Sequence, residues 1–195
     1  MAARLASMVG PGLKAAAVVA LATAAILTSC ADAPRPAAAR QSADASQPAD
    51  APSADARQEA VVVSIADGDT LRLRGIGPGP LPAGVVARVR VLEIDSPEED
   101  DCGYREATAR LAGLIPPGST VRVDRDRELA DKFGRYLLYL WTEDGRFVNV
   151  SMVDQGFARA VLFRPNDEHI DRMRAAESAA RGARRGLWAT CGSAG

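Results

Sequence analysis

The chain of 195 residues contains one histidine and three cysteines, too few for a His-rich centre or a four-cysteine zinc site. Lysine is almost absent: Lys14 and Lys132 are the only two, and arginine supplies the rest of the positive charge. Aromatic residues make up only 5%. No apolar run reaches the ~20 residues that a membrane-spanning helix needs. The net charge of −1 excludes a bulk electrostatic pull toward nucleic acid or anionic lipid. What remains is ordinary: 47% hydrophobic and 25% charged residues exclude a collagen-like or wholly disordered chain. The length suits one domain with appendages.

Composition shifts along the chain. Residues 1–29 carry Arg4 and Lys14, no acid, and the apolar run Ala15 to Leu27, the pattern of a signal peptide. Leu27-Thr28-Ser29-Cys30 resembles the bacterial lipobox, whose cysteine is lipidated and becomes the mature N-terminus. The expectation is a lipid on Cys30 that anchors the protein to the outer face of a membrane; the alternative is an ordinary secretory signal with an incidental cysteine. Residues 30–58 form the linker, rich in Ala, Pro, Asp and Ser and without large apolar side chains, so nothing offsets the entropy of ordering it. A folded domain is expected over 59–192, with 193–195 as a tail.

Within that domain, Val61 to Ile65 and Thr70 to Arg74 read as strands joined at Asp67-Gly68-Asp69, the second alternating apolar and polar residues with period two. Gly75 to Gly84 is a loop. Val85 to Ile94 reads as one strand, with Val89, Val91 and Glu93 on the face opposite Arg88, Arg90, Leu92 and Ile94. Tyr104 to Ile115 reads as a helix stopped by Pro116-Pro117-Gly118. Thr120 to Asp126 and Tyr136 to Thr142 read as strands, and Val148 to Gln155 as a short helix. Asn166 is the expected N-cap of a last helix that runs to about Arg181. Short strands separated by turn signals, with helices inserted late, point to a mainly β α+β domain built on a small barrel.

Three short clusters carry chemistry: Asp67-Gly68-Asp69-Thr70, then Arg90 with Asp95-Ser96-Pro97-Glu98, then Asp131-Lys132-Phe133-Gly134-Arg135. Carboxylates are hard oxygen ligands, suited to Ca²⁺ or Mg²⁺. Arg90 and Arg135 offer planar guanidinium forks that match phosphate oxygens. A cation, two arginines and a spare carboxylate suit phosphodiester hydrolysis. Each cluster alone has a plainer reading, as a hairpin turn, a helix start or a solvated loop.

In this order, the three clusters resemble the staphylococcal nuclease (thermonuclease) family. Further matches are Val148-Asn149, Gln155-Gly156, Arg164-Pro165-Asn166 and Gly186-Leu187-Trp188, so the resemblance covers about Val61 to Trp188. It implies an oligonucleotide-binding-type (OB) five-stranded β-barrel with about three packed helices. It implies a Ca²⁺-dependent endonuclease acting on single-stranded DNA and RNA. By resemblance, Asp69, Asp95 and the backbone carbonyl of Ser96 hold the cation, with Asp67 behind them. Arg90 and Arg135 contact the reacting phosphate, Glu98 stands at the general-base position, and Lys132 and Phe133 lie against the nucleotide. Phe133 replaces a frequent Tyr, Val161 and Phe163 stand at two further Tyr positions of the staphylococcal enzyme, and Glu99-Asp100-Asp101 is acidic where that enzyme has lysines. These departures bear on affinity and leave open a second reading, a barrel of the same fold that binds oligonucleotides without cleaving them.

With Cys30 lipidated, Cys102 and Cys191 form an even pair, expected as a disulfide in an exported domain, with two free thiols as the alternative. His169 is expected on the surface of the last helix, and Trp141 and Trp188 in the core. Arg181, Arg184 and Arg185 read as a solvated basic face. Nothing in the sequence suggests more than a monomer.

Overall fold

A computed structural model describes residues 56–191. Cys30, the signal segment, most of the linker and the tail lie outside the described residues. Five strands close into a barrel in the order β1-β2-β3-β6-β5. They are β1 (Gln58–Ile65), β2 (Thr70–Ile76), β3 (Val86–Val91), β5 (Thr120–Asp124) and β6 (Tyr136–Thr142). Neighbours are antiparallel except β3 and β6, which run parallel and close the barrel. β4 (Ile94–Asp95) and β7 (Arg159–Ala160) form a separate two-stranded sheet. Three helices, α1 (Tyr104–Leu114), α2 (Val148–Asp154) and α3 (Ile170–Gly182), accompany the barrel, with a single turn, α4 (Leu187–Thr190), near the end. Among the described residues, no helix is long and apolar enough to cross a membrane.

The alternation of β2 works as the sequence predicts: Leu71 and Leu73 are buried, and Arg72 and Arg74 face out. Ala60, Val62, Val89, Val121, Val123, Leu138 and Leu140 join them in the core. Truncating one of the buried leucines to Ala would cost about 2–5 kcal/mol.

Three expectations about local structure are corrected first. The linker expected to reach residue 58 ends sooner: Gln58 opens β1, and its buried amide laces the following loop. Its Nε2 donates to Leu81 O (2.8 Å) and its Oε1 accepts from Leu81 N (2.8 Å). The single strand expected over Val85–Ile94 breaks after Val91. Leu92 and Glu93 form a reversal, with Glu93 at φ 60°, because the Arg90 guanidinium gathers the carbonyls of Val91 (3.0 Å) and Ile94 (2.7 Å) onto itself. Asn166 does not cap α3, whose N-cap is His169. It is buried and brackets the Glu128 backbone, accepting from its N–H (2.8 Å) and donating to its carbonyl (3.0 Å). The N–H groups ahead of α3, those of Asp167 and Glu168, are met instead by Asp126 Oδ2 (2.7 and 3.0 Å).

His169, expected on the surface of the last helix, is half-buried at the N-cap of α3. It packs edge-on against Tyr139 (4.6 Å between centroids), Phe147 (5.0 Å) and Trp141 (6.3 Å). The basic face near the C-terminus is only partly solvated: Arg185 binds Asp154 Oδ1 (2.7 Å), and Arg181 binds Glu177 (2.9 Å) while lying over Trp188. Trp141 is buried, whereas Trp188 is only half-buried.

Candidate active site

The site begins with a turn. Asp67 Oδ1 accepts from the N–H groups of Asp69 (2.9 Å) and Thr70 (2.6 Å), an Asx turn that holds Asp69 at the head of β2. Gly68 lets this turn press on the loop after β4. A Cβ there would fall 2.7 Å from Ser96 Cβ and 2.9 Å from Ala107 Cβ, inside any real contact. The result is a direct bond between two motifs 27 residues apart: Ser96 N donates to Asp69 Oδ2 at 2.7 Å.

β2–β3 pairing sets Thr70 opposite Arg90, and Arg90 reaches both acids. Its Nη1 lies 3.2 Å from Asp69 Oδ1, and its Nη2 lies 2.8 Å from Asp95 Oδ1. Arg90 and Asp69 are each 5% exposed, while the Asp95 side chain is 50% exposed, so the cluster opens to solvent through Asp95. Burial raises the Asp69 carboxyl to about 6; Arg90 and the Ser96 N–H pull it down but do not cancel the burial, and Asp67 adds to the rise.

The third motif is a separate self-contained loop. Asp131 Oδ1 accepts from the N–H groups of Phe133 and Arg135 (2.9 Å each), and Asp131 Oδ2 accepts from Arg135 Nε (2.7 Å). Burial alone would raise the Asp131 carboxyl, but these bonds together hold it below the usual carboxylate range. Phe133 is 66% exposed and lies between Lys132 Nζ (5.0 Å from its centroid) and Arg135 Cζ (5.6 Å), an aromatic face flanked by two cations. The loop leads straight into β6, whose Tyr136 pairs with Val89, the neighbour of Arg90.

The structure thus draws Asp67, Asp69, Arg90, Asp95 and Ser96 together. No hydrogen bond or ion pair joins Glu98 or Arg135 to that cluster. Glu98 is exposed, and its backbone is tied to Asp101, whose Oδ2 accepts from Glu98 N (3.1 Å). The next residue, Cys102, is bonded to Cys191 across 89 positions, which fixes this acidic loop to α4. Among the described residues, no three His, Cys, Asp or Glu side chains converge as a metal cage; the oxygen donors near Arg90 are two carboxylates and backbone.

Sequence reasoning missed a second polar cluster behind the site. Glu93, fully buried, accepts through Oε1 from Tyr139 OH (2.8 Å) and His169 N (3.2 Å), and Tyr139 OH also lies 3.3 Å from Asp126 Oδ2. Burial raises the Glu93 carboxyl. An acid in an otherwise apolar stretch, Val91-Leu92-Glu93-Ile94, was the available signal.

The fold is a closed OB-type barrel with a buried arginine clasping two carboxylates at its rim. Residues 88–190 match the family model described as staphylococcal nuclease homologue. Over 142 residues the chain is 31% identical to a thermonuclease of Staphylococcus intermedius, covering 70% of this chain and 80% of that one. It is 30% identical over 150 residues to Endonuclease YhcR of Bacillus subtilis (strain 168), where the match covers 70% of this chain but only 12% of that much longer protein. Protein ParB of Escherichia coli is 33% identical over 135 residues, covering 65% of this chain and 70% of that one. The chain belongs to the staphylococcal nuclease family.

Proposed function

We propose that the chain is a metal-dependent endonuclease that hydrolyses phosphodiester bonds of single-stranded DNA and RNA, with Ca²⁺ as its cation. The observation that carries this reading is Arg90, buried and bonded at once to Asp69 and Asp95. The donor set fits the cation: the carboxylates of Asp69 and Asp95 and the backbone carbonyl of Ser96 are hard oxygens. When bound, the cation supplies electrostatic stabilisation of charge that builds on the phosphate oxygens.

The remaining steps belong to the chain. Arg90 and Arg135 bind and orient the reacting phosphate through their guanidinium forks. Asp131 holds Arg135 in place for this task. Glu98, exposed in the loop that follows Asp95, accepts the proton of the attacking water. Water oxygen bonds to phosphorus, the opposite P–O bond breaks, and the leaving oxygen takes up a proton. Phe133 and Lys132 receive the base and a neighbouring phosphate. The protein works as an exported monomer, tethered by a lipid on Cys30 to the extracytoplasmic face of a membrane.

The test is cleavage of single-stranded DNA by the full chain in Ca²⁺ and in EDTA, beside Glu98→Gln and Arg135→Ala. Turnover that needs Ca²⁺ and falls by about 10²–10³-fold in each variant is expected. Binding without turnover would replace the enzyme by an oligonucleotide-binding module.

A further inference from the structure

The chain from Gly75 to Ala87 carries no charged or polar side chain. It ends β2 and opens β3. Among the described residues, the exposed large hydrophobic side chains are Ile76, Val85, Val86 and Phe133, so three of the four sit on this one stretch. The loop is nonetheless held in place. Leu81 is buried as its anchor. Gln58 Nε2 donates to Gly77 O (3.0 Å) and Leu81 O (2.8 Å), and Gly84 N donates to Gly75 O (2.9 Å). Arginines flank the loop. The outward positions of β2 are Arg72, Arg74 and Ile76, and those of β3 are Val86 and Arg88. Pairing sets Arg72 opposite Arg88 and Arg74 opposite Val86, so three arginines and two aliphatic side chains share one outer face. Like charges directly opposite each other cost stability. Yet among the described residues no side-chain hydrogen bond, ion pair or ring contact engages Arg72, Arg74 or Arg88. The acid at the edge of this face, Glu59, lies opposite Ile76 on one side and Arg122 on the other.

We propose that this face docks on an anionic phospholipid surface, with the apolar loop among the headgroups and the three arginines against lipid phosphates. The inference rests on the proposed membrane tether and deepens it. Residues 31–55 join Cys30 to the barrel and can span at most ~90 Å, so a lipid on Cys30 keeps the domain at the membrane. The chain enters the barrel at Gln58, the residue that braces the loop, and the next residue pairs with Ile76. Tether and loop therefore meet at one end of the barrel. The net charge of −1 supplies no bulk pull, but the stripe supplies a local one. Guanidinium forks match phosphate oxygens, and each basic side chain at an anionic surface adds about fivefold in affinity. Exposed aliphatic side chains gain by leaving water. The face holds no aromatic ring to stack on a base, which favours lipid over a nucleic-acid strand. Because Gln58 and Leu81 fix the loop, docking needs little ordering.

The experiment uses the full chain with Cys30→Ala, which takes no lipid, and vesicles of phosphatidylcholine alone or mixed with phosphatidylglycerol. Cosedimentation reads binding, and any contribution of residues 1–29 is common to every variant. The mixed vesicles are expected to bind the parent at least about tenfold more tightly than phosphatidylcholine. Arg72→Gln, Arg74→Gln and Arg88→Gln together are expected to lower binding to the mixed vesicles by about tenfold or more. Val85→Ser with Val86→Ser is expected to lower it by about fivefold. All five side chains are exposed, and the valine pair tests the face even if the arginine variant fails to fold. Equal binding of the parent to both vesicles, or an arginine variant that binds the mixed vesicles as the parent does, overturns the docking face. An arginine variant that loses single-stranded DNA and keeps the vesicles overturns it too, in favour of a nucleic-acid track. The tether is read separately, by the mass of the wild-type chain recovered from bacterial membranes. A Cys30 without lipid sinks the tether, and the vesicle result still decides the docking face.

Discussion

Two buried carboxylates, Asp69 and Glu93, meet the same chain reversal between β3 and β4, and they are compensated in opposite ways. Burial raises both carboxyls. Asp69 faces the Arg90 guanidinium and the Ser96 N–H, and its cluster reaches solvent through the half-exposed Asp95. Glu93 faces a neutral Tyr139 hydroxyl and the His169 N–H, and among the described residues its Oε2 has no hydrogen-bond partner. The first arrangement is open to solvent. The second is closed and ties β6 and the start of α3 to the corner that presents Asp95. A buried acid alone therefore does not mark a reaction centre.

The comparison breaks most readily at Arg90. Arg90→Gln leaves Asp69 buried without its cation, so the fold is expected to lose about 3–5 kcal/mol and turnover to fall by about 10²–10³-fold. Urea unfolding and a cleavage assay read the two losses, and unchanged stability would mean that Asp69 does not depend on Arg90. Next in size is the covalent tie from the acidic loop to α4. Replacing both Cys102 and Cys191 by Ala is expected to cost about 2–5 kcal/mol, since the bond closes a long loop; thermal melts in the presence and absence of reductant should agree with it.

The closed cluster is sharpened by Tyr139→Phe, which removes the donor that Glu93 and Asp126 share. A loss of about 1–3 kcal/mol is expected, with turnover of the folded protein preserved. A collapse of turnover like that of Arg90→Gln would show that the two clusters are not separate. The smallest effect belongs to His169, whose imidazole is held below its ordinary value of 6.5, first by burial and then by Arg172 and Arg57. A lowered histidine binds its proton more readily in the unfolded chain. Its contribution to stability is therefore full above pH 6.5 and is lost as pH falls below that value. As His169 is the only histidine in the sequence, its NMR titration is unambiguous. A midpoint below 6.5 is expected, and one at or above 6.5 would contradict its burial against Tyr139 and Phe147.

Where chemistry was local, the sequence was readable. The alternation in Thr70–Arg74 gives β2, and Asp67-Gly68-Asp69 gives the turn that aims Asp69. The self-bonded loop Asp131–Arg135 is contained in five consecutive residues. Features set by distant partners were hidden. The apolar run Val91-Leu92-Glu93-Ile94 looks like continuing strand, and only Arg90 folding back onto Val91 O and Ile94 O breaks it. Asn166 looks like an N-cap because its sequence cannot reveal Glu128 across 38 positions. The two-residue strands β4 and β7 are too short to leave a periodic signal, so the juxtaposition of Asp95 with Arg159 could not be foreseen. His169 is polar and precedes a helix, yet the ring cluster of Tyr139, Trp141 and Phe147 takes it in.

The central claim is that Asp69, Arg90 and Asp95 form a centre that binds a cation. Isothermal titration of Ca²⁺ into the full chain, the wild type beside Asp69→Asn and Asp95→Asn, tests it most directly. A single Ca²⁺ site in the wild type, weakened by about tenfold or more in each variant, is the predicted result. Ca²⁺ binding that both variants retain at wild-type strength, or no Ca²⁺ binding by the wild type, would contradict it.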